Sequence, residues 1–306
     1  MPRPAIQVTR VLPPALVVLA FLLAGCGERS EPLGNLPQAY PVTVGSGGDR
    51  ITTVESRPDR IVALDPGSAS LVEALGAGSR LVGVPANADV AGNPEVVVTR
   101  AGELDVAAVV RLHPDLIVST SAVDQLDAGL AERRSGAALY LQPDLSVEDV
   151  LHGTIDLGFL VGEPVRARQL AARIQAQVRD VEASVAGEPF VNVFVDTGFF
   201  ITIPERSLLG DLIRRARGRS VAGPAPGPEP LSPARLRQLA PDVYLATSES
   251  RVTLRQLRAD PRTAKLAAVR RGRFAVVPSK LVLRPGPRVG RALERIARIL
   301  HPDAFP

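Results

Sequence analysis

One stretch limits the fold more than any other: Pro164 to Ala186, PVRARQLAARIQAQVRDVEASVA. Val165, Leu170, Ala171, Ile174, Val178, Val181 and Val185 recur every three or four residues, which predicts one helix with a single apolar face. Pro164 suits a first helical turn, and Gly187 with Pro189 stops the helix. At 1.5 Å per residue such a helix spans about 35 Å, the diameter of a small domain. The residues on either side read as two versions of one α/β lobe, so the helix is expected to be the strut between them.

Short apolar runs alternate with helical segments in both halves, the pattern of βα units and a parallel sheet covered on both faces. In the first half the expected strands are 60–64, 80–84, 115–118 and 137–141. The helices between and after them start at Ala69, Asp105, Gln125 and Ser146, with Ser68 as the cap of the first. In the second half the strands are 190–195, 241–245 and 273–277. The helices there are 208–216, 232–239, 264–269 and 288–300. Ahead of the first lobe, Pro41–Val44 and Ile51–Val54 flank Gly45-Ser46-Gly47-Gly48 as a hairpin. An internal echo supports duplication. Arg111-Leu112-His113-Pro114-Asp115-Leu116-Ile117-Val118-Ser119-Thr120 matches Gln238-Leu239-Ala240-Pro241-Asp242-Val243-Tyr244-Leu245-Ala246-Thr247. Each reads as a helix stopped by proline, then a strand with a polar end.

With 45% hydrophobic and 22% charged residues over 306 positions, the composition is that of a globular chain long enough for two cores. Arginine supplies nearly all of the positive charge, since Lys265 and Lys280 are the only lysines. The arginines read as scattered, with few aromatics between them, so no nucleic-acid partner is expected. At the N-terminus, Arg3 and Arg10 precede a short apolar run, Val11 to Leu23, that ends in Leu23-Ala24-Gly25-Cys26. That tetrapeptide resembles a bacterial lipobox, with residues 1–25 as a lipoprotein signal peptide and Cys26 as the lipidated mature N-terminus. The run is shorter than the ~20 residues a membrane span needs. An extracytoplasmic protein is therefore expected, anchored to the membrane by lipid on Cys26. Residues 26–56 form its tether and N-terminal strands, 57–162 the N-terminal lobe, 163–187 the strut and 188–306 the C-terminal lobe. Cys26 is the only cysteine, which excludes an intramolecular disulfide.

No catalytic motif is present. Gly76-Ala77-Gly78 lacks the third glycine of a dinucleotide fingerprint and precedes a strand, and neither a Walker A loop nor a G-x-S-x-G elbow occurs. Only three histidines are available for a bare-metal site: His113, His152 and His301. Two of these sit before a proline at a helix end, where capping or a surface role is expected. No enzyme activity, resident metal or cofactor is expected.

Several segments, in order, carry a family resemblance. Pro58 to Leu64 with Ser70 to Val84 resembles the opening of the periplasmic binding proteins for iron chelates and cobalamin. Leu112-His113-Pro114-Asp115-Leu116-Ile117-Val118 resembles that family's LKPDLV segment. Gly158, Gly162-Glu163 and the long helix resemble its linker. Arg284-Pro285-Gly286-Pro287-Arg288-Val289 resembles its C-terminal signature. The resemblance spans about residues 41 to 302 and implies a class III, helical-backbone binding protein. Two Rossmann-like α/β lobes are then joined by one long rigid helix, with ligand in the cleft between them. The implied protein is a monomer that delivers a ferric siderophore, haem or cobalamin to an ABC permease and closes only modestly on its ligand. Residues at the C-terminal ends of strands should face the cleft. In the first lobe these are Asp65, Ser68, Asn87, Ser119, Thr120 and Ser121. In the second they are Asp196, Thr197, Phe199, Thr247, Ser248, Ser279, Lys280 and Arg284. Of Phe199 and Phe200, one at most should reach ligand, because neighbours on a strand face opposite ways. Arg284 either pairs with an anionic chelate or braces the Pro285-Gly286-Pro287 turn. The chain has no Trp and no Tyr at a predicted cleft loop, which favours a ferric siderophore over cobalamin. The resemblance also implies docking glutamates at positions that here hold Ala107 and Ala234. That departure leaves a second reading open, a sensor or interaction lipoprotein without a permease.

Overall fold

The computed structural model describes residues 38–121, 123–223 and 230–305. The signal segment, Cys26 and most of the Pro/Gly loop at 223–230 lie outside them. The described residues form one compact unit. Its strands are β1 Val42–Ser46, β2 Arg50–Val54, β3 Ile61–Ala63, β4 Leu81–Pro85, β5 Glu95–Val98, β6 Leu116–Ser119, β7 Ala138–Leu141, β8 Val191–Asp196, β9 Gly218–Ser220, β10 Val243–Thr247 and β11 Phe274–Val277. Its α-helices are α1 Pro66–Ala74, α2 Val106–Arg111, α3 Gln125–Ser135, α4 Val147–Leu160, α5 Pro164–Val185, α6 Leu208–Arg215, α7 Pro233–Leu239, α8 Leu254–Ala259, α9 Ala267–Arg270, α10 Ser279–Val282 and α11 Val289–Leu300. None of them is long and apolar enough to cross a membrane.

The first five strands after the β1–β2 hairpin form a sheet ordered β5-β4-β3-β6-β7, and the last four form a second, ordered β11-β10-β8-β9. Both are wholly parallel. Alternation along the strands explains why both faces are covered. On β8 and β10, Val193, Val195, Val243 and Leu245 join the core beneath α5, α6 and α11. Phe194, Tyr244 and Ala246 point the other way and pack under α7, α8 and α9.

The echoed segments have a common physical basis. His113 and Ala240 both take the left-handed conformation, with φ of 44° and 45°, before Pro114 and Pro241. The following aspartates do the same work. Asp115 accepts from the N–H groups of Asp59 and Arg60, and Asp242 from that of Asn192, each latching its strand to a neighbouring one. Duplication thus extends from sequence to hydrogen bonding.

The long helix runs from Pro164 to Val185 and lies between the two sheets in chain order. It packs against α4 of the first lobe and α11 of the second. Leu170, Ile174, Val178, Val181 and Val185 are buried as expected, whereas Val165 is exposed and Ala167 takes a place on the buried face. Glycines permit both crossings. A Cβ on Gly158 of α4 would meet Ala167 Cβ at 2.1 Å, and one on Gly290 of α11 would meet Gln177 Oε1 at 2.6 Å. One continuous apolar cluster runs from the first lobe through α5 into the second.

Four further elements escaped the sequence reading: β5, β9, α8 and α10. The helix expected at 264–269 is a short turn, Ala267–Arg270. The cap of α1 is also reassigned. Asp65, not Ser68, occupies the N-cap, because Pro66 fills the first helical position.

Candidate ligand-binding site

In both sheets the strand order reverses beside the first strand of the lobe, between β3 and β6 and between β8 and β10. Open α/β sheets bind ligands at such switch points. A buried aspartate stands at each. Asp65 Oδ1 accepts from the N–H groups of Gly67 and Ser68, each at 2.9 Å, and Oδ2 accepts from the Ser68 hydroxyl at 2.6 Å. Thr120 also hydrogen-bonds to Asp65. Burial pushes the Asp65 carboxyl above its ordinary range, and these donors only partly offset it. Asp196 accepts from Gly198 N–H at 2.8 Å and from the buried Tyr244 hydroxyl. Both carboxylates are therefore engaged in holding loops and helix starts.

These holds place the two lobes in contact. Asp65 fixes Gly67 so that a Cβ there would lie 2.2 Å from the Pro285 carbonyl oxygen of the other lobe. Beside that contact, Arg284 Nη1 reaches across to the Asn87 carbonyl at 3.4 Å. Arg284 is partly buried and forms no ion pair among the described residues. Burial depresses the pKa of its guanidinium, and Arg288 adds to the effect, against the pull of Glu249, Asp65 and Asp89. Lys280 and Arg288 line the same seam, exposed and without ion pairs. Three cations and no carboxylate therefore border a gap of only about 10 Å³. Arg284 thus reaches across the seam to the first lobe. The gap adjoins an open cavity of about 590 Å³ that shares Ser70, Pro287 and Arg288.

The other expected site residues do not converge on one cavity. Ser119 donates to the Thr120 carbonyl, and both are buried. Ser121 donates to Asp144 and borders a cavity of about 720 Å³ between the β1–β2 turn and the end of β7. Thr197 donates to the Ile201 carbonyl. Ser248 and Ser279 pair with each other. The Thr247 hydroxyl is buried without a hydrogen-bond partner. Asp196 and Phe199 line a third cavity of about 590 Å³ within the second lobe, together with Glu249 and Arg251.

Phe199 and Phe200 are not on a strand. With φ of 54° and 60° they form a tight turn closed by Ile201 N–H to the Gly198 carbonyl, a conformation normally given to Asn and Gly. The turn buries part of Phe200 against the α7–α9 core and leaves Phe199 91% exposed. One phenyl ring therefore faces outward, for a reason other than strand alternation. His301 also departs from expectation: it is buried, with Nε2 3.0 Å from the Ala216 carbonyl oxygen. Among the described residues no group of three or more His, Cys, Asp or Glu side chains is arranged to hold a metal ion.

What sequence reasoning missed is a clamp that includes the strut itself. Arg215 on α6 bonds Glu148 on α4, Glu182 on α5 at 2.5 Å and Asp211 at 2.8 Å. Asp211 accepts from Val147 N–H, so the second lobe caps a helix of the first. Burial pushes the Asp211 carboxyl up, but Val147, Arg215 and Arg214 outweigh it and hold it below the ordinary range. The partners lie up to 67 positions apart, and no local pattern announces them.

Two wholly parallel sheets, a single long helix between them and a seam at the switch points define a helical-backbone binding protein. The comparisons agree. A model of the periplasmic binding protein family matches residues 61–281, and the chain belongs to that family. It is 24% identical to the uncharacterized ABC transporter substrate-binding lipoprotein YvrC of Bacillus subtilis, over 95% of this chain and 96% of that one. The periplasmic heme-binding protein RhuT from Roseiflexus sp. RS-1 superposes with a TM-score of 0.71 at 22% identity, covering 80% of this chain and 99% of that one. The periplasmic vitamin B12 binding protein BtuF of Vibrio cholerae gives a TM-score of 0.72 at 18% identity, covering 82% and 99%. The chain thus has the family and the fold of a periplasmic binding protein.

Proposed function

We propose that this protein captures an anionic, coordinatively saturated metal chelate, a ferric siderophore before cobalamin or haem, at the seam between its lobes. The observation that carries this reading is Arg284, a half-buried guanidinium without an ion pair. A buried cation is costly unless paired, and an arginine fork suits carboxylate, catecholate or hydroxamate oxygens. Haem iron ordinarily takes a His, Cys, Met or Tyr ligand. Among the described residues the seam presents none of them. Cobalamin is a large corrinoid that favours a wide apolar wall, and Phe199 is the one large apolar side chain left exposed among the expected site residues. A siderophore already saturates its iron and needs charge complementarity instead.

In this proposal residues 57–162 and 188–306 act as the two jaws, with Asp65, Gly67, Asn87, Lys280 and Arg284 at the bite. The gap of about 10 Å³ admits no chelate, so binding requires the seam to part. Lipid on Cys26 holds the protein outside the cell at the membrane. Ala107 and Ala234 are both exposed but carry no charge, so docking on a permease uses displaced acids or dispenses with the salt bridges.

The test is a thermal-shift and calorimetry panel of ferric siderophores, haem and cobalamin, run on the wild type and Arg284→Gln. A ligand at 100 times its Kd raises stability by about 2.7 kcal/mol. We expect a ferric siderophore to do so and Arg284→Gln to weaken it at least ~10-fold, the scale of one charge-assisted pair. Stabilisation by haem or cobalamin alone, undisturbed in the variant, would refute the reading.

A further inference from the structure

The net charge of +4 conceals two opposed values. Residues 38–163 carry 8 Arg and Lys against 18 Asp and Glu, whereas residues 164–306 carry 25 against 12. The arginines are therefore not scattered, contrary to the sequence reading. One group of them lies on and beside α7–α9, on the face of the second sheet opposite α5, α6 and α11. Arg235, Arg255, Arg258, Lys265, Arg270 and Arg271 are all exposed there, and none forms an ion pair among the described residues. The helices are held together as one surface. Leu236, Leu257 and Leu266 share a core beneath them, and Arg237 Nη1 donates to the Arg262 carbonyl. Among the described residues the acid exchanging an ion pair on this face is Asp260, with Arg262.

We propose that this face rests on the anionic phospholipid headgroups of the membrane. Three observations select that occupant. First, the face is dominated by charge: among the described residues none of α7, α8 or α9 exposes a large hydrophobic side chain, and Phe199 and Val276 are exposed only beside them. Protein docking sites are built around buried aromatic or aliphatic anchors, whereas a diffuse array of cations fits a diffuse array of phosphates. Second, the acidic first lobe is repelled by the same surface, which fixes which lobe faces it. Third, the chain has 12 residues from Cys26 to Gln38, a reach of about 40 Å if extended. That is comparable to the diameter expected of a unit this size, about 45 Å, so an anchor at Cys26 leaves the unit a choice among many of its faces, and charge decides which one meets the bilayer. This last argument rests on the lipid anchor; the first two do not.

The experiment uses full-length Cys26→Ser protein, so acylation plays no part, and sedimentation with vesicles of phosphatidylcholine alone or with about one quarter phosphatidylglycerol. We expect phosphatidylglycerol-dependent binding that disappears at about 0.5 M salt, where screening shortens to a few ångströms. A variant with Arg235, Arg255, Lys265 and Arg270 changed to Gln should partition at least ~10-fold less, each cation near an anionic surface contributing to attraction. A matched variant loses four exposed cations elsewhere, Arg173, Arg179, Arg291 and Arg295 to Gln, and should stay within about 2-fold of the parent. Equal melting temperatures exclude misfolding as the cause. The proposal fails if phosphatidylglycerol adds no binding, which leaves the face to an acidic protein, or if both variants lose binding equally, which assigns the effect to net charge. Mass spectrometry of Cys26 tests the anchor separately.

Discussion

Gly67 matters for what it lacks. The Pro285 carbonyl oxygen of the opposite lobe occupies the space its Cβ would take, and the clash is with backbone that no rotamer change relieves. Gly67→Ala should therefore destabilise the protein by about 1–3 kcal/mol, the usual cost of overpacking a filled site. Urea unfolding measures it, and a loss below about 0.5 kcal/mol would mean that the lobes do not touch there. Little of this scale was legible in the sequence. The strand at 60–64 is legible, but its sequel offers both Asp65 and Ser68 as caps, and Ser and Asp are near-equal N-caps. Pro66 at the first helical position decides between them. The left-handed turn at Phe199 and Phe200 was invisible because its residues break the rule by which such turns are recognised.

The elements were more legible than the residues, because periodicity is local. The strut, the hairpin and the Leu-x-Pro-Asp joints follow from runs of fewer than 25 residues each. β5 and β9 escaped as edge strands, and β9 carries no apolar side chain that could mark it. What joins the elements is long-range, and the clamp of Arg215 on α4, α5 and α6 is its clearest case. Asp211 is the buried acid in that clamp, and its folded pKa lies below the ordinary 3.8. Its contribution is therefore complete above pH 3.8 and is lost as pH falls through the depressed folded value. Asp211→Asn should cost about 3 kcal/mol at pH 7, at the low end for breaking a buried pair, since Glu148 and Glu182 still hold Arg215. Urea unfolding of both proteins should show a gap that is constant from neutral pH to about 5 and narrows below about 4. A gap that widens in acid would reverse the assigned sign.

For the whole molecule, the apolar core continuous through the strut makes the lobes one mechanical body, tied by the Arg215 clamp and by Gly67 against Pro285. Parting of the seam while the clamp holds is the small motion a single rigid strut permits. Charge is the property of this scale that sequence reading obscured: a total averages over lobes, and the opposition appears only when the halves are counted apart. The seam competes with a larger cavity of about 720 Å³ beside the hairpin, and with another of about 590 Å³ within the second lobe. Backbone hydrogen exchange with and without a bound ferric siderophore discriminates among them. Capture at the seam predicts joint protection of residues 65–70 and 279–288, one segment from each lobe. Protection confined to 46–50 and 142–149, or to 249–257, would contradict it.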